Sequence, residues 1–323
     1  MAAPRLISCV LAMASLATVG ACSSAAPSPT EGEPRATGVA GGGVGTSTGA
    51  GTPGPSALTP EAYRSELERR HDAMAGAITA MARARRLKDL TRRVVAAEEK
   101  LNEAAQALAA LVPPEEVRAR HDAYVSALSD LAHVLGTTMT KVGVRELCTS
   151  SAVLADVGGR LAALDAAGRA LRSAGDYPAD VVSVKAGKKQ TRRLRNGEFV
   201  RKGTLGGRGS LEIDNGGDRD AVVTAVKGGR TAFSVYVRRK ATFKVRGVRD
   251  GSYRVYFSHG VDWEGRNRRF TRKCGFEKFA KPVEFETTYT ATQILWHDWR
   301  ITLHSITGGN VRTEKVDPDD FPS

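Results

Sequence analysis

The spacing of apolar residues changes once along this 323-residue chain, and that change restricts what it can fold into more than any other feature. Up to about residue 175, large apolar side chains recur at intervals of three and four. From about residue 198 they fall into short runs with a period of two. The first pattern lays a stripe along one face of a helix, and the second puts alternate residues on one face of a strand. Leu67, His71, Met74, Ile78 and Met81 form the first stripe. A change of phase near residue 87 starts a second, through Leu90, Val94, Ala97, Leu101, Ala104, Leu108 and Leu111, which Pro113-Pro114 stops. Val117, His121, Tyr124, Leu128, Leu131 and Leu135 make a third. Leu154, Val157, Leu161, Leu164 and Leu171 make a fourth, ended by Gly175 and Pro178. Thr59, Pro60 and Glu61 suit the cap and first turn of the first helix. Four stripes on short connections predict an antiparallel four-helix bundle over residues 58–177.

The second half reads as strands. Ala221 to Val223, Phe233 to Val237, Phe243 to Val245, Tyr253 to Phe257 and Ile294 to Leu303 are rich in β-branched and aromatic residues. Asn215-Gly216-Gly217, Gly228-Gly229, Asp250-Gly251 and Gly308-Gly309 supply turns between them. Roughly eight strands at this spacing predict a β-sandwich over residues 210–323, and the chain as a whole is expected to be an α+β multidomain protein. Residues 178–209 are expected to form a basic linker running into the first strand.

Ahead of the helices the chain is of another kind. Leu6 to Gly20 is apolar behind a single Arg5, too short to span a bilayer but suited to a secretory signal over residues 1–21. Val19-Gly20-Ala21-Cys22 resembles a lipobox, which implies cleavage before Cys22 and acylation of its thiol; an ordinary cleavage site with an incidental cysteine is the blander alternative. Two acyl chains would anchor the protein, since each buried methylene contributes about 0.8 kcal/mol. Residues 23–57 are Ser, Thr, Ala, Gly and Pro with few charges, and are expected to act as a flexible tether of roughly 30–35 Å average span. The expected address is therefore the outer face of the cell membrane.

An oxidising exterior permits the two remaining cysteines, Cys148 and Cys274, to pair, which would join the two halves; two separate buried thiols are the alternative. The net charge of +13 is just as uneven. Residues 1–180 carry 19 Lys and Arg against 19 Asp and Glu, whereas residues 181–323 carry 29 against 16, so the whole surplus lies in the second half. Much of it is local: Lys185, Lys188, Lys189, Arg192, Arg193, Arg195, Arg201, Lys202 and Arg208 share their stretch with one acid, Glu198. Such a segment is expected to meet a polyanion, either anionic lipid headgroups or an acidic envelope polymer, or else to be a solvated linker that keeps the protein soluble. The address disfavours nucleic acid.

Other constellations are thin. Glu68 and His71 have the Glu-x-x-His spacing of di-iron bundles, but a weak repeat fifty residues later pairs His121 with Arg118, so no metal or cofactor is expected. Cys274 follows Arg272-Lys273, whose cations would favour a thiolate. His259, His297 and His304 lie in the same half without a nucleophile elbow or zinc spacing, so an enzyme is the lesser expectation. Trp263, Trp296 and Trp299 could stack on sugars, but a continuous strand would send Trp296 and Trp299 to opposite faces and bury at least one. Asp319-Asp320 reads as a polar tail.

Val248-Arg249-Asp250-Gly251-Ser252-Tyr253-Arg254-Val255 resembles the turn and strand of transthyretin-like and immunoglobulin-like sandwiches, which implies a fold and no function. Over its whole length the chain resembles a type of actinobacterial (high-GC Gram-positive) lipoprotein with a helical domain and a C-terminal β-sandwich. The resemblance rests on the lipobox, Pro113-Pro114 followed by His121, Asp250 to Tyr253, Phe270-Thr271-Arg272-Lys273-Cys274, and Gly308-Gly309-Asn310. It implies an architecture and an address and brings no activity with it. The functional expectation is a binding or scaffold lipoprotein for an anionic envelope polymer or acidic partner, with a cell-wall-modifying enzyme or a structural partner of another envelope protein as alternatives.

Overall fold

The computed structural model describes residues 56–303 and 312–322. The signal, Cys22 and nearly all of the tether lie outside the described residues, as do His304 and Gly308-Gly309-Asn310. The chain is α+β: among the described residues four long helices precede a multi-stranded, largely antiparallel sheet region. No helix among the described residues is long and apolar enough to cross a membrane.

The helices are α1 (Pro60–Ala82), α2 (Leu87–Ala109), α3 (Arg118–Gly143) and α4 (Ser150–Arg172). Thr59 caps α1 by accepting from the Ala62 N–H at 3.2 Å, and Thr149 caps α4 by accepting from the Ala152 N–H at 3.3 Å. A 3₁₀ turn, Glu115–Val117, follows the two prolines and leads into α3. Each helix packs on its neighbour in sequence, and α1 also meets α4. Leu67, Ile78, Val94, Leu101, Leu128, Leu135 and Leu164 are fully buried in one apolar core. Each such side chain contributes about 1.5–3 kcal/mol on leaving water.

The two histidines part company here. His121 is buried, and its Nδ1 shares a 2.9 Å hydrogen bond with the Tyr63 hydroxyl; burial pushes its imidazole below the ordinary range. His71, expected on the inward stripe, is half-exposed instead. It sits at the stripe's edge, where Asp72 at 3.0 Å and Asp180 at 4.0 Å face it in place of another helix. The buried Tyr124 hydroxyl has no hydrogen-bond partner among the described residues.

Twelve strand segments are described: β1 (Phe199–Arg201), β2 (Gly209–Asn215), β3 (Asp220–Lys227), β4 (Arg230–Val237), β5 (Ala241–Val248), β6 (Gly251–Glu264), β7 (Arg269–Phe279), β8 (Val283–Phe285), β9 (Thr287–Tyr289), β10 (Ile294–Trp296), β11 (Asp298–Thr302) and β12 (Thr313–Lys315). The larger sheet runs β1-β4-β3-β6-β7-β12, antiparallel throughout, with β8 also paired to β6. A second runs β11-β2-β5, in which β11 is parallel to β2, and β9 and β10 form a separate pair. The β3–β4 hairpin turns at Gly228 and Gly229, whose φ of 56° and 75° are the left-handed values that a two-residue turn between twisted strands requires.

The larger sheet is covered on both faces. Val223, Val235 and Phe257 pack against Leu211, Ile213, Val245 and Ile301 of the second sheet. Val222, Tyr236, Trp263 and Phe270 form another cluster on the opposite side, with Cys148 and Cys274. This explains why Ala221-Val222-Val223 reads as a continuous apolar run: a strand buried on both faces has no polar side to alternate with. The expected run from Ile294 to Leu303 is broken at His297, with β10 pairing to β9 and β11 to β2. The alternation argument fails at that break, and Trp296 and Trp299 are both exposed, at 48% and 38%. Trp263 is the buried one.

The helical and sheet regions meet along a short seam. Segment 145–148 lies beside 271–274 in strand-like pairing: the Cys148 N–H donates to Thr271 O at 2.8 Å, and the Lys273 and Cys274 N–H groups donate to Glu146 O and Arg145 O, each at 3.1 Å. A disulfide joins Cys148 to Cys274 across it.

Candidate basic cleft

Beyond α4 the chain does not stop at a free linker; it doubles back along the helix as a strap. Tyr177, Ala179 and Val181 are buried in the helical core. The close approach depends on glycine in α4. A Cβ at Gly168 would lie 2.2 Å from Ala179 O, and one at Gly158 would lie 3.1 Å from Ala186 Cβ. Arg172 pairs with Asp180 at 2.5 Å and helps to fix the start of the strap.

The far end of the strap is clamped to the larger sheet by two arginines. Arg192 donates through Nε at 2.9 Å and Nη2 at 2.8 Å to the two oxygens of Asp262, which also accepts from the Arg192 N–H and, at 2.7 Å, from the Thr271 hydroxyl. Arg193 holds Asp220 through two 2.6 Å bonds, and the Tyr236 hydroxyl and the Arg239 N–H donate to the same carboxylate. Burial alone would push the Asp262 carboxyl up. The hydrogen bonds from Arg192 and Thr271, together with the Arg192 charge, outweigh it and hold the group at about 2. Burial opposes ionisation of Asp220 as well, but Arg193, Tyr236 and the Arg239 N–H bring it below the usual carboxylate range. Both acids therefore stay charged at ordinary pH, and both arginines stay engaged.

Between the clamp and α4 the strap crosses an open cleft of about 510 Å³, walled by the end of α3, the start of α4, β6 and β7. Lys185, Lys188, Lys189 and Arg192 line it from the strap, Lys141 from α3, and Arg272 and Lys273 from β7. Four carboxylates share the wall: Glu146, Asp156, Asp262 and Glu264. Lys141 pairs with Asp156 at 2.8 Å, and Arg192 is taken by Asp262. Setting aside these two pairs leaves five cations, Lys185, Lys188, Lys189, Arg272 and Lys273, facing two carboxylates. The Arg272 guanidinium also donates to Gln190 O, tying strap to sheet.

The structure thus gathers only part of the basic segment. Lys185, Lys188 and Lys189 are exposed at the cleft. Arg193 faces Asp220 on the sheet, while Arg195, Arg201 and Lys202 lie beyond the clamp around β1 and do not line the cleft. Lys202 stands 5.9 Å from the centroid of the Phe199 ring. In their place come Lys141, Arg272 and Lys273, which the sequence did not single out as cleft residues. Cys148–Cys274 pairing was the one sequence signal that could have brought segment 141–148 to 270–274.

The disulfide leaves Cys274 without a thiolate in this structure, so the cations beside it have no nucleophile to activate. Among the described residues no three His, Cys, Asp or Glu side chains gather as a metal site. No protein-family model, curated protein or solved structure matches the chain.

Proposed function

We propose that this chain is a membrane-anchored extracytoplasmic lipoprotein, acylated at Cys22, whose basic cleft binds a segment of an anionic envelope polymer. The observation that carries this reading is the cleft itself: five cations without a salt-bridge partner among the described residues face two carboxylates in a concavity of about 510 Å³. A concave site of that size suits a few phosphate- or carboxylate-bearing units of a polymer threaded under the strap. In the same reading the four helices form an antiparallel bundle that carries one wall of the cleft, and the two larger sheets form a sandwich that carries the other. A scaffold role toward an acidic protein partner would use the same cations.

The test is binding to teichoic acid at low and high salt. Replacing Lys188→Glu and Lys189→Glu together should weaken binding at least tenfold at low salt, since each cation near a polyanionic surface is worth about 1 kcal/mol and reversal also adds repulsion. The difference should shrink as salt rises. Undiminished binding in the double variant would remove the cleft as the binding site. Charge reversal at Arg192 or Arg193 would be a poor probe, because it would break the clamp.

A further inference from the structure

Five of the seven large apolar side chains exposed among the described residues cluster within eleven positions: Tyr289, Ile294, Leu295, Trp296 and Trp299. Four belong to the β9–β10 hairpin, and the stretch from Thr287 to Trp296 holds no charged side chain in a chain that is 26% charged. The hairpin pairs with no third strand among the described residues. In its register Tyr289 lies opposite Ile294 and Thr287 opposite Trp296, so Tyr289, Ile294 and Trp296 share one face while Leu295 projects from the other. Tyr289 is 69% exposed and Leu295 53%. A two-stranded hairpin with both faces in water is marginal by itself, and this one exposes apolar groups to both sides.

The tip is closed on itself. The Thr290 N–H donates to Gln293 O at 2.9 Å, the Gln293 N–H donates to Thr290 Oγ1 at 2.9 Å, and that hydroxyl donates to Gln293 O at 3.0 Å. A turn with some of its polar groups already paired loses less on leaving bulk water than an open one. A flat sugar platform or a protein groove would cover one face of the hairpin and leave the other wet. A bilayer interface surrounds a projecting loop, and Trp and Tyr are the side chains favoured at headgroup depth.

We propose that the β9–β10 hairpin inserts into the interfacial layer of a phospholipid bilayer and forms a second membrane contact besides the acyl anchor. The proposal rests on the membrane-anchored reading for its location: acyl chains on Cys22 would bring the chain to a bilayer surface. The contact is apolar, which separates it from the salt-sensitive binding at the cleft.

The full-length chain in zwitterionic phosphatidylcholine vesicles with brominated acyl chains, at high salt, provides the test through tryptophan emission. The brominated lipid should quench the wild-type protein, and Trp296→Phe with Trp299→Phe should lose most of that quenching, because the remaining Trp263 is buried in the sheet region. Ile294→Ser with Leu295→Ser, keeping Trp296 as reporter, should reduce quenching at least threefold. Flotation of the same vesicles scores the anchor separately. Chains that float without quenching overturn the hairpin contact and leave the anchored reading standing, whereas chains that neither float nor quench overturn both. Retention on an insoluble neutral polysaccharide, abolished by Trp296→Ala and accompanied by no quenching, assigns the hairpin to sugar and overturns the proposal as well.

Discussion

The helical and sheet regions solve the same packing problem by different means. Each helix buries one apolar stripe in a shared core, and its ionic contacts stay outside it, as with Arg69–Glu66, Arg160–Asp130 and Arg169–Asp165. Exposed pairs of this kind contribute about 0–1 kcal/mol each. The larger sheet is covered on both faces, and part of its second cover is the chain segment that leaves the helices. Cover of that sort meets polar backbone and side chains as well as apolar ones, so it is fixed by bidentate arginine–aspartate clamps and a disulfide. A region whose core is made by helices adjacent in sequence should tolerate local damage. A region whose cover comes from elsewhere in the chain should fail at its fastenings.

The sharpest break in that comparison is removal of the cross-link. Reduction, or Cys148→Ser with Cys274→Ser, should lower stability by about 3–5 kcal/mol for a bridge closing a loop of this length. Hydrogen exchange should show the loss chiefly in amides of β6 and β7, while α1 and α2 keep their protection. Equal loss in both regions would mean that the molecule has one cooperative unit and the distinction is empty.

The clamps come next. Asp262→Ala should cost about 2–3 kcal/mol by leaving Arg192 and Thr271 without their partner. Because the folded Asp262 titrates at about 2, below the ordinary carboxylate value, its contribution is complete above about pH 4. It is lost as the pH falls through about 2, so acid unfolding of the wild type should be steeper over that window than unfolding of Asp262→Ala. Urea titrations at a series of pH values would read this directly.

Smaller effects should come from within the helices. Gly168→Ala improves helix propensity by about 1 kcal/mol, yet its Cβ would meet Ala179 O, so the variant should be destabilised by about 1–2 kcal/mol with the strap displaced. Tyr124→Phe removes a buried hydroxyl that has no partner among the described residues and should raise stability by about 1 kcal/mol, measurable as an upward shift in Tm. A fall in Tm would show that the hydroxyl has a partner in solution.

The same contrast explains what could be read from residues alone. The four helices follow from stripes such as Leu90, Val94, Ala97 and Leu101, because one buried face leaves a 3.6-residue trace. β7 escapes such reading: in Arg269–Phe279 the neighbours Phe270 and Thr271 are both buried, and the irregular pairing at Lys273, whose φ is 49°, breaks the period of two. The break at His297 was invisible for a related reason, because a change of partner strand leaves no mark in an apolar pattern. The cleft was half legible. Lys185, Lys188 and Lys189 stand out as a local cluster, but Arg192 and Arg193 look no different from them until Asp262 and Asp220 are known to lie opposite. Lys141, Arg272 and Lys273 join the site only through tertiary contact.

The span of the disulfide has a consequence for timing. Its partners are 126 residues apart, so bringing them together carries a loop-closure entropy that the local contacts within a helix do not. Helices rich in local contacts form quickly and without it. The covalent bond is better suited to latch a seam that packing has already brought together than to choose the helical topology.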